Sequence, residues 1–294
     1  VLRANKTLQG MKKVIGIGLG LIGGSMLLSL KRFWSKAEFL GQDINKDHLD
    51  KAIDLGIINK EAQKQDFKNA DLVIVSIPVD IAPNVIHELL NQIGSNTLVI
   101  DTGSTKTKLC EHLKNHPKRE QFMATHPIAG TEFSGPQAAF SELFDHKTMI
   151  VCEVEKTNLK LQQLAIQCFE KMQMKMRYMN PVSHNKHMAY VSHLSHISSF
   201  MLGKTVIDKE ENERNIFDLA GSGFESTVRL AKSNPQTWTP IFKQNKTFVL
   251  EALSEYINNL KNFETALKQD DFEQLYKEMN NTNVVKDILK GIHL

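Results

Sequence analysis

One short segment narrows the fold of this chain more than any other: Gly18-Leu19-Gly20-Leu21-Ile22-Gly23, a G-x-G-x-x-G triplet. Alone it says little, because glycines cluster by chance. Here it follows an apolar run, Val14-Ile15-Gly16-Ile17, and opens helical spacing over residues 22–34. In that context each glycine has a task. Gly18 permits a tight turn, Gly20 lets a pyrophosphate approach the backbone, and Gly23 allows close helix–strand packing. The phosphates would sit on the open N–H groups of the helix start, at Leu21 and Ile22, where the dipole is positive. Asp43 ends a second strand about 20 residues later, where a carboxylate can accept hydrogen bonds from adenosine ribose hydroxyls. That carboxylate repels a 2′-phosphate and no arginine follows it, only Lys46, so the spacing favours NAD over NADP.

The first half continues this pattern. Residues 38–43, 72–75 and 97–101 read as strands, with helices expected over 46–55, 80–92 and 106–113. Met123-Ala124-Thr125 and Met149-Ile150-Val151 extend the sheet, and Leu161, Leu164, Ala165, Cys168, Phe169 and Met172 mark one more amphipathic helix. Strands this apolar, separated by helices, indicate a parallel sheet covered on both faces. After Asn180-Pro181 only helical patterns remain. The expected fold is α/β: an N-terminal Rossmann-type, doubly wound, mostly parallel sheet over residues 11–180. An all-α domain for substrate binding and dimerisation follows over 181–294. Residues 1–10, ahead of Met11, read as a tag or disordered extension.

Composition rules out several classes. A net charge of +3, with lysines scattered among acids, is too weak a field for nucleic acid or a membrane surface. No apolar run reaches the ~18 residues that span a bilayer. Three cysteines, Cys110, Cys152 and Cys168, show no metal spacing and fit reduced thiols in a cytoplasmic protein.

In a doubly wound sheet, chemistry gathers beyond the carboxyl ends of the strands. Three polar segments fall there: Ser76-Ile77-Pro78, residues 101–106 and residues 126–132. Ser76, Pro78 and Asp101 are accordingly expected beside the cofactor. His126 is the one histidine so placed, and Ser104 ends the neighbouring strand. A histidine there can polarise or deprotonate a hydroxyl as hydride leaves the same carbon.

Four separated segments resemble signatures of the prephenate dehydrogenase family. They are Asp101-Thr102-Gly103-Ser104-Thr105-Lys106, His126-Pro127-Ile128-Ala129-Gly130-Thr131-Glu132-Phe133-Ser134-Gly135, Val191-Ser192-His193-Leu194-Ser195-His196, and Gly221-Ser222-Gly223-Phe224 through Arg229 to Asn234-Pro235. The resemblance implies oxidative decarboxylation of prephenate, or of arogenate, with hydride passing to NAD⁺. It implies that His126 contacts the ring hydroxyl as acceptor and base and that Ser104 orients that hydroxyl and the nicotinamide. Arg229 would pair with a substrate carboxylate, Ser192, His193 and His196 would line the substrate pocket, and Glu132 its entrance. It also implies a homodimer through the helical domain, for which Phe242, Val249, Leu253, Tyr256 and Leu260 are candidates. One residue departs from the pattern: some relatives carry lysine where this chain has Glu225, which leaves prephenate and arogenate both open.

A helical wheel at ~100° per residue puts Ser192, Ser195, His196 and Ser199 on one arc. Tyr190, Leu194, Ile197 and Met201 cluster on another side. The same wheel points His184 and His187 away from His193 and His196, so no metal is expected. Two rivals stay open. A β-hydroxyacid dehydrogenase would carry a glycine-helix lysine pattern that is not found here. A non-catalytic NAD-binding regulator would not need Ser104, His126 and Arg229 together.

Overall fold

The computed structural model describes residues 10–210 and 215–292, so the reading of residues 1–10 falls outside it but for Gly10. The chain runs β1 (Lys13–Ile17), α1 (Leu21–Lys31), β2 (Glu38–Gln42), α2 (Lys46–Asp54), β3 (Lys60–Glu61), β4 (Leu72–Val75) and α3 (Ala82–Gln92). It continues with β5 (Leu98–Asp101), α4 (Thr107–Leu113), β6 (Phe122–Ile128), β7 (Thr148–Cys152), α5 (Leu159–Lys171) and β8 (Lys175–Met179). These eight strands form one sheet in the order β3-β2-β1-β4-β5-β6-β7-β8. All neighbours pair in parallel except β6 with β7.

The continuous apolar runs are explained by the two faces they serve. Along β4 and β5, Leu72, Ile74, Leu98 and Ile100 join one core with Met26, Leu27, Leu161 and Phe169 from α1 and α5. Their alternates Val73, Val75 and Val99 join the other, with Ile86, Leu90, Leu109 and Leu113 from α3 and α4. Side chains alternate across a strand, so a strand buried on both faces must be apolar at every position. Burial also accounts for the three cysteines, which are free, with the Cys152 and Cys168 thiols pushed up to about 12. Two strands escape the sequence pattern. β3 is two residues long, and β8 carries the exposed Lys175, Arg177 and Tyr178 at a sheet edge, where no apolar signal is required.

Past β8 the described residues are helical: α6 (Pro181–Met188), a π-helical turn over Ala189–His193, α7 (Leu194–Glu210), α8 (Ser222–Val228), α9 (Pro235–Gln244), α10 (Lys246–Lys268), α11 (Phe272–Thr282) and α12 (Val285–Ile292). By contacts the chain falls into two compact units, one ending at Lys246 and one starting at Thr247. No helix among the described residues is long and apolar enough to cross a membrane. Within the second unit Leu260, Phe263, Leu267, Phe272 and Tyr276 are exposed.

The glycine turn sets a test of packing. A Cβ on Gly23 would lie 2.0 Å from the carbonyl oxygen of Gly18, whereas one on Gly20 meets nothing within 4 Å. Gly23→Ala should therefore cost about 1–3 kcal/mol, read as a lower urea midpoint, and Gly20→Ala should not. An unchanged midpoint for Gly23→Ala would contradict the close approach.

Candidate active site

The glycine turn has the geometry that its spacing predicts. Gly18 adopts φ +86°, and a Cβ there would fall 2.1 Å from the Ser76 carbonyl oxygen, so only glycine fits. The Gly18 N–H donates to the carbonyl of Gln42 at 2.8 Å, and Gly20 starts α1 with no side-chain cap. A Cβ on Gly20 would meet nothing within 4 Å, so the backbone is open where α1 begins, and no side chain caps the first-turn amides, as a pyrophosphate cradle requires. Asp43 stands just past β2, accepting the Leu19 N–H at 2.8 Å and the Asn45 N–H at 2.9 Å. Four lone-pair positions leave this carboxylate capacity for a ribose hydroxyl. Beside it opens a cleft of about 470 Å³ bordered by Ile17, Gln42, Lys64, Asn84 and Glu88. Ser76 accepts the Thr102 hydroxyl at 2.9 Å behind the turn, and Pro78 is exposed nearby.

Asp101, expected among the cofactor contacts, is instead sealed off. It is 1% exposed and paired with the Lys106 ammonium, itself fully buried, and it also accepts the N–H groups of Thr125 and Gly103. Burial pushes its carboxyl up, and the Lys106 ammonium and these amides pull against that. The physical reason for the correction is burial: with Asp101 1% and Lys106 0% exposed, the carboxylate is spent on internal donors and shut off from a ligand. Ser104 is different. Its Oγ is buried with no hydrogen-bond partner among the described residues, so a polar atom waits there for a ligand.

His126, on β6, meets a residue that the sequence reading placed elsewhere. Its Nδ1 lies 2.9 Å from Nε2 of His184 on α6, the rings edge to face. His184 continues through Nδ1 to Asn185 Oδ1 at 3.0 Å, and Asn185 Oδ1 also accepts the Lys106 backbone N–H at 2.7 Å. Asn245, just past α9, donates to the Asn185 carbonyl at 2.8 Å and stands 3.1 Å from His193 Nδ1. Burial is the largest influence on all three rings. It holds His126 well below its ordinary value, His184 at about 3 and His193 at about 4, with neighbouring histidines and Lys106 adding repulsion. These imidazoles are neutral at pH 7.

The outer rim is charged. Arg229 Nη1 pairs with Glu132 Oε2 at 3.1 Å, joining the turn after α8 to the loop after β6. Burial holds the His196 imidazole below its ordinary value, with the Ser192 carbonyl opposing and Arg229 adding repulsion, and its ring stacks on Trp238 with centroids 3.4 Å apart. Arg229 is thus tied to the loop that follows the strand of His126, Glu132 lying six positions further along the chain. Ser192 is half-buried, its carbonyl 3.0 Å from His196 Nδ1. The arc expected to share a wet face is split: Ser199 donates to the Thr227 carbonyl at 2.6 Å, and Ser195 is exposed. The wheel also failed for His184 and His193, which meet in one network through Asn185 and Asn245. It assumed one uniform helix, but the π turn at Ala189–His193 widens the spiral and shifts the phase of everything after it. Among the described residues no group of three or more His, Cys, Asp or Glu side chains is arranged to hold a metal ion. Of the interface candidates, Phe242 packs its ring toward His193 and Trp238 within the chain, Val249 is buried, and Leu260 is exposed.

Comparison with known proteins fits this arrangement. Residues 27–178 match the model for the prephenate dehydrogenase nucleotide-binding domain, and residues 180–281 match its dimerization domain. This chain belongs to the prephenate dehydrogenase family. The prephenate dehydrogenase of Bacillus subtilis is 29% identical over 92% of this chain and 74% of its own length. The cyclohexadienyl dehydrogenase of Zymomonas mobilis is 27% identical over 96% of this chain and 97% of its own. Among solved structures, the A. aeolicus prephenate dehydrogenase, crystallised with hydroxyphenyl propionate and NAD⁺, superposes with a TM-score of 0.87. It is 32% identical, covering 97% of this chain and 100% of that one. In this member of the prephenate dehydrogenase family, Asn185, Asn245 and Trp238 adjoin the candidate residues without having been singled out from the sequence, and His184 and Lys106, which the sequence did bring up, take places in the network that it did not foresee.

The buried rings make stability depend on pH in a known direction. His184 and His193 titrate at 6.5 when unfolded but at about 3 and about 4 when folded. Below pH 6.5 the unfolded chain binds protons that the folded one refuses. Their stabilisation is whole above about pH 7 and drains away as pH falls toward 4, by about 1.4 kcal/mol per pH unit for each ring. Urea midpoints should drop between about pH 7 and about pH 5, and less steeply in His184→Gln. Equal slopes for the two proteins would exclude His184 from this effect.

Proposed function

We propose that this chain catalyses the NAD⁺-dependent oxidative decarboxylation of prephenate to 4-hydroxyphenylpyruvate. The observation that carries the reading is a neutral, half-buried imidazole, His126, on the strand next to the unpartnered Ser104 hydroxyl; the half-exposed Arg229 guanidinium, paired with Glu132, supplies a cation. The glycine cradle and Asp43 support NAD in preference to NADP, because a carboxylate beside the ribose site disfavours a 2′-phosphate. When bound, NAD⁺ supplies the hydride acceptor.

The residues then divide the work. His126 accepts a hydrogen bond from the ring 4-hydroxyl and holds its proton as hydride leaves C4. The C1–carboxylate bond breaks to give CO₂, its electron pair completes the aromatic ring, and the proton returns to the phenol oxygen. Ser104 orients the hydroxyl. Arg229, a planar bidentate cation, takes a substrate carboxylate in exchange for Glu132, which stands at the entrance. His193, His196 and Ser192 line the wall. The helical domain from residue 181, matching a dimerization domain, is taken as the homodimer interface, with exposed Leu260 on it. Glu225 is exposed and 3.7 Å from Lys232, so its charge is met locally and does not by itself favour arogenate's ammonium.

The test is NADH appearance with NAD⁺ and either prephenate or arogenate. Turnover of prephenate supports the proposal, and turnover of arogenate alone moves the assignment to that substrate. NAD binding without NADH from either would favour the regulator reading. His126→Asn should lower kcat by about 10²–10⁴ with NAD affinity intact. Arg229→Ala should act on KM, and an unaltered KM would remove it from substrate binding.

A further inference from the structure

The hydrogen bonds behind His126 have a direction, and one atom sets it. The backbone N–H of Lys106 can only donate, and it meets the Asn185 side chain at 2.7 Å, so the atom there is Oδ1. His184 Nδ1 lies 3.0 Å from that same oxygen and must therefore carry a proton to bond with it. A neutral imidazole has one N–H, which leaves His184 Nε2 with a lone pair. His126 Nδ1, 2.9 Å away, then has to be the donor. The consequence falls on the far nitrogen. With its proton on Nδ1, His126 holds Nε2 as a bare lone pair, the form that a base for a hydroxyl needs. A free imidazole prefers the opposite tautomer, with the proton on Nε2, which would offer the hydroxyl a second donor.

We propose that His184 and Asn185 are positioning residues that fix the tautomer of His126, through the relay Lys106 N–H to Asn185 Oδ1, His184 Nδ1–H to Asn185 Oδ1, and His126 Nδ1–H to His184 Nε2. This rests on the base role given to His126 above. Every link lies at 3.0 Å or less, and His184 and Asn185 are 0% and 2% exposed, so water does not compete for the bonds. The neutrality of His184 is part of the same geometry. A charged His184 would donate from both nitrogens, and His126 Nδ1 would have to become the acceptor.

The test reads the tautomer directly, by long-range ¹H–¹⁵N correlation on the ¹⁵N-histidine-labelled full chain at neutral pH, with His126 assigned from His126→Asn. The wild type should show a proton on Nδ1 of both His126 and His184. His184→Phe keeps a ring of similar size but no acceptor. It should move the His126 proton to Nε2 and lower kcat at least about tenfold, with NAD affinity kept. His184→Gln, whose amide can accept from His126 and donate to Asn185, should keep the Nδ1 proton and most of the turnover. A wild-type His126 protonated on Nε2 overturns the proposal, and that reading stands even if His184→Phe does not fold. So does undiminished turnover in His184→Phe, or lost turnover without a tautomer change. The spectrum needs no substrate, so a failure here is distinct from a failure of the prephenate assignment.

Discussion

Lys106 is where the sheet and the helices are joined. Its ammonium closes on the Asp101 carboxylate at the end of β5, both groups out of reach of water. Its backbone N–H, a few bonds away, holds Asn185 on α6. A buried ion pair gains little net stability over apolar packing, but removing one partner strands the other charge at a cost of several kcal/mol. The pair therefore acts as a constraint. It fixes the turn between β5 and α4, and that turn fixes the helix that brings His184 onto His126. The Asp101 carboxylate reaches the neighbouring strand as well, through the Thr125 N–H, one residue before His126. His126 is thus held from both sides by groups that trace back to one lysine.

What the sequence could reveal was whatever depends on local chemistry. Gly18, Gly20 and Gly23 are dictated by a positive φ, an open approach and a close contact within a few residues of each other, so spacing alone exposes them. The parallel sheet was legible because Val73, Ile74 and Val99 must be apolar on both sides of their strands. His126 and Ser104 were legible as polar residues directly after apolar strands, and the family resemblance gave them roles. Arg229 and Glu132 came only from that resemblance; nothing local says that a guanidinium after one helix meets a carboxylate after a distant strand.

The relay was out of reach for a specific reason. His184 and Asn185 meet His126 and Lys106 across 58 and 79 positions of chain, and no periodicity within one helix reports which strand or turn it packs against. The π turn at Ala189–His193 only shifts the phase of His193 and His196, which follow. Asp101 misled in another way. A carboxylate at a strand end looks ligand-facing until Lys106 is seen to be buried against it, and no periodicity marks a lysine as buried. The edge strand β8 was silent because an exposed edge needs no apolar pattern.

The electrostatic design of the site follows from this layering. His184 and His193 are out of reach of water and kept neutral chiefly by burial, with Lys106 adding repulsion at His184, while the Arg229–Glu132 pair is partly in water. A dianionic substrate would find its cation at the entrance and its proton acceptor at depth. The most direct check is a crystal structure of this chain with NAD⁺ and 4-hydroxyphenylpyruvate. The account predicts the phenol oxygen within about 2.6–3.2 Å of His126 Nε2 and the product carboxylate on Arg229. A product whose hydroxyl lies away from His126, or whose carboxylate ignores Arg229, would contradict it.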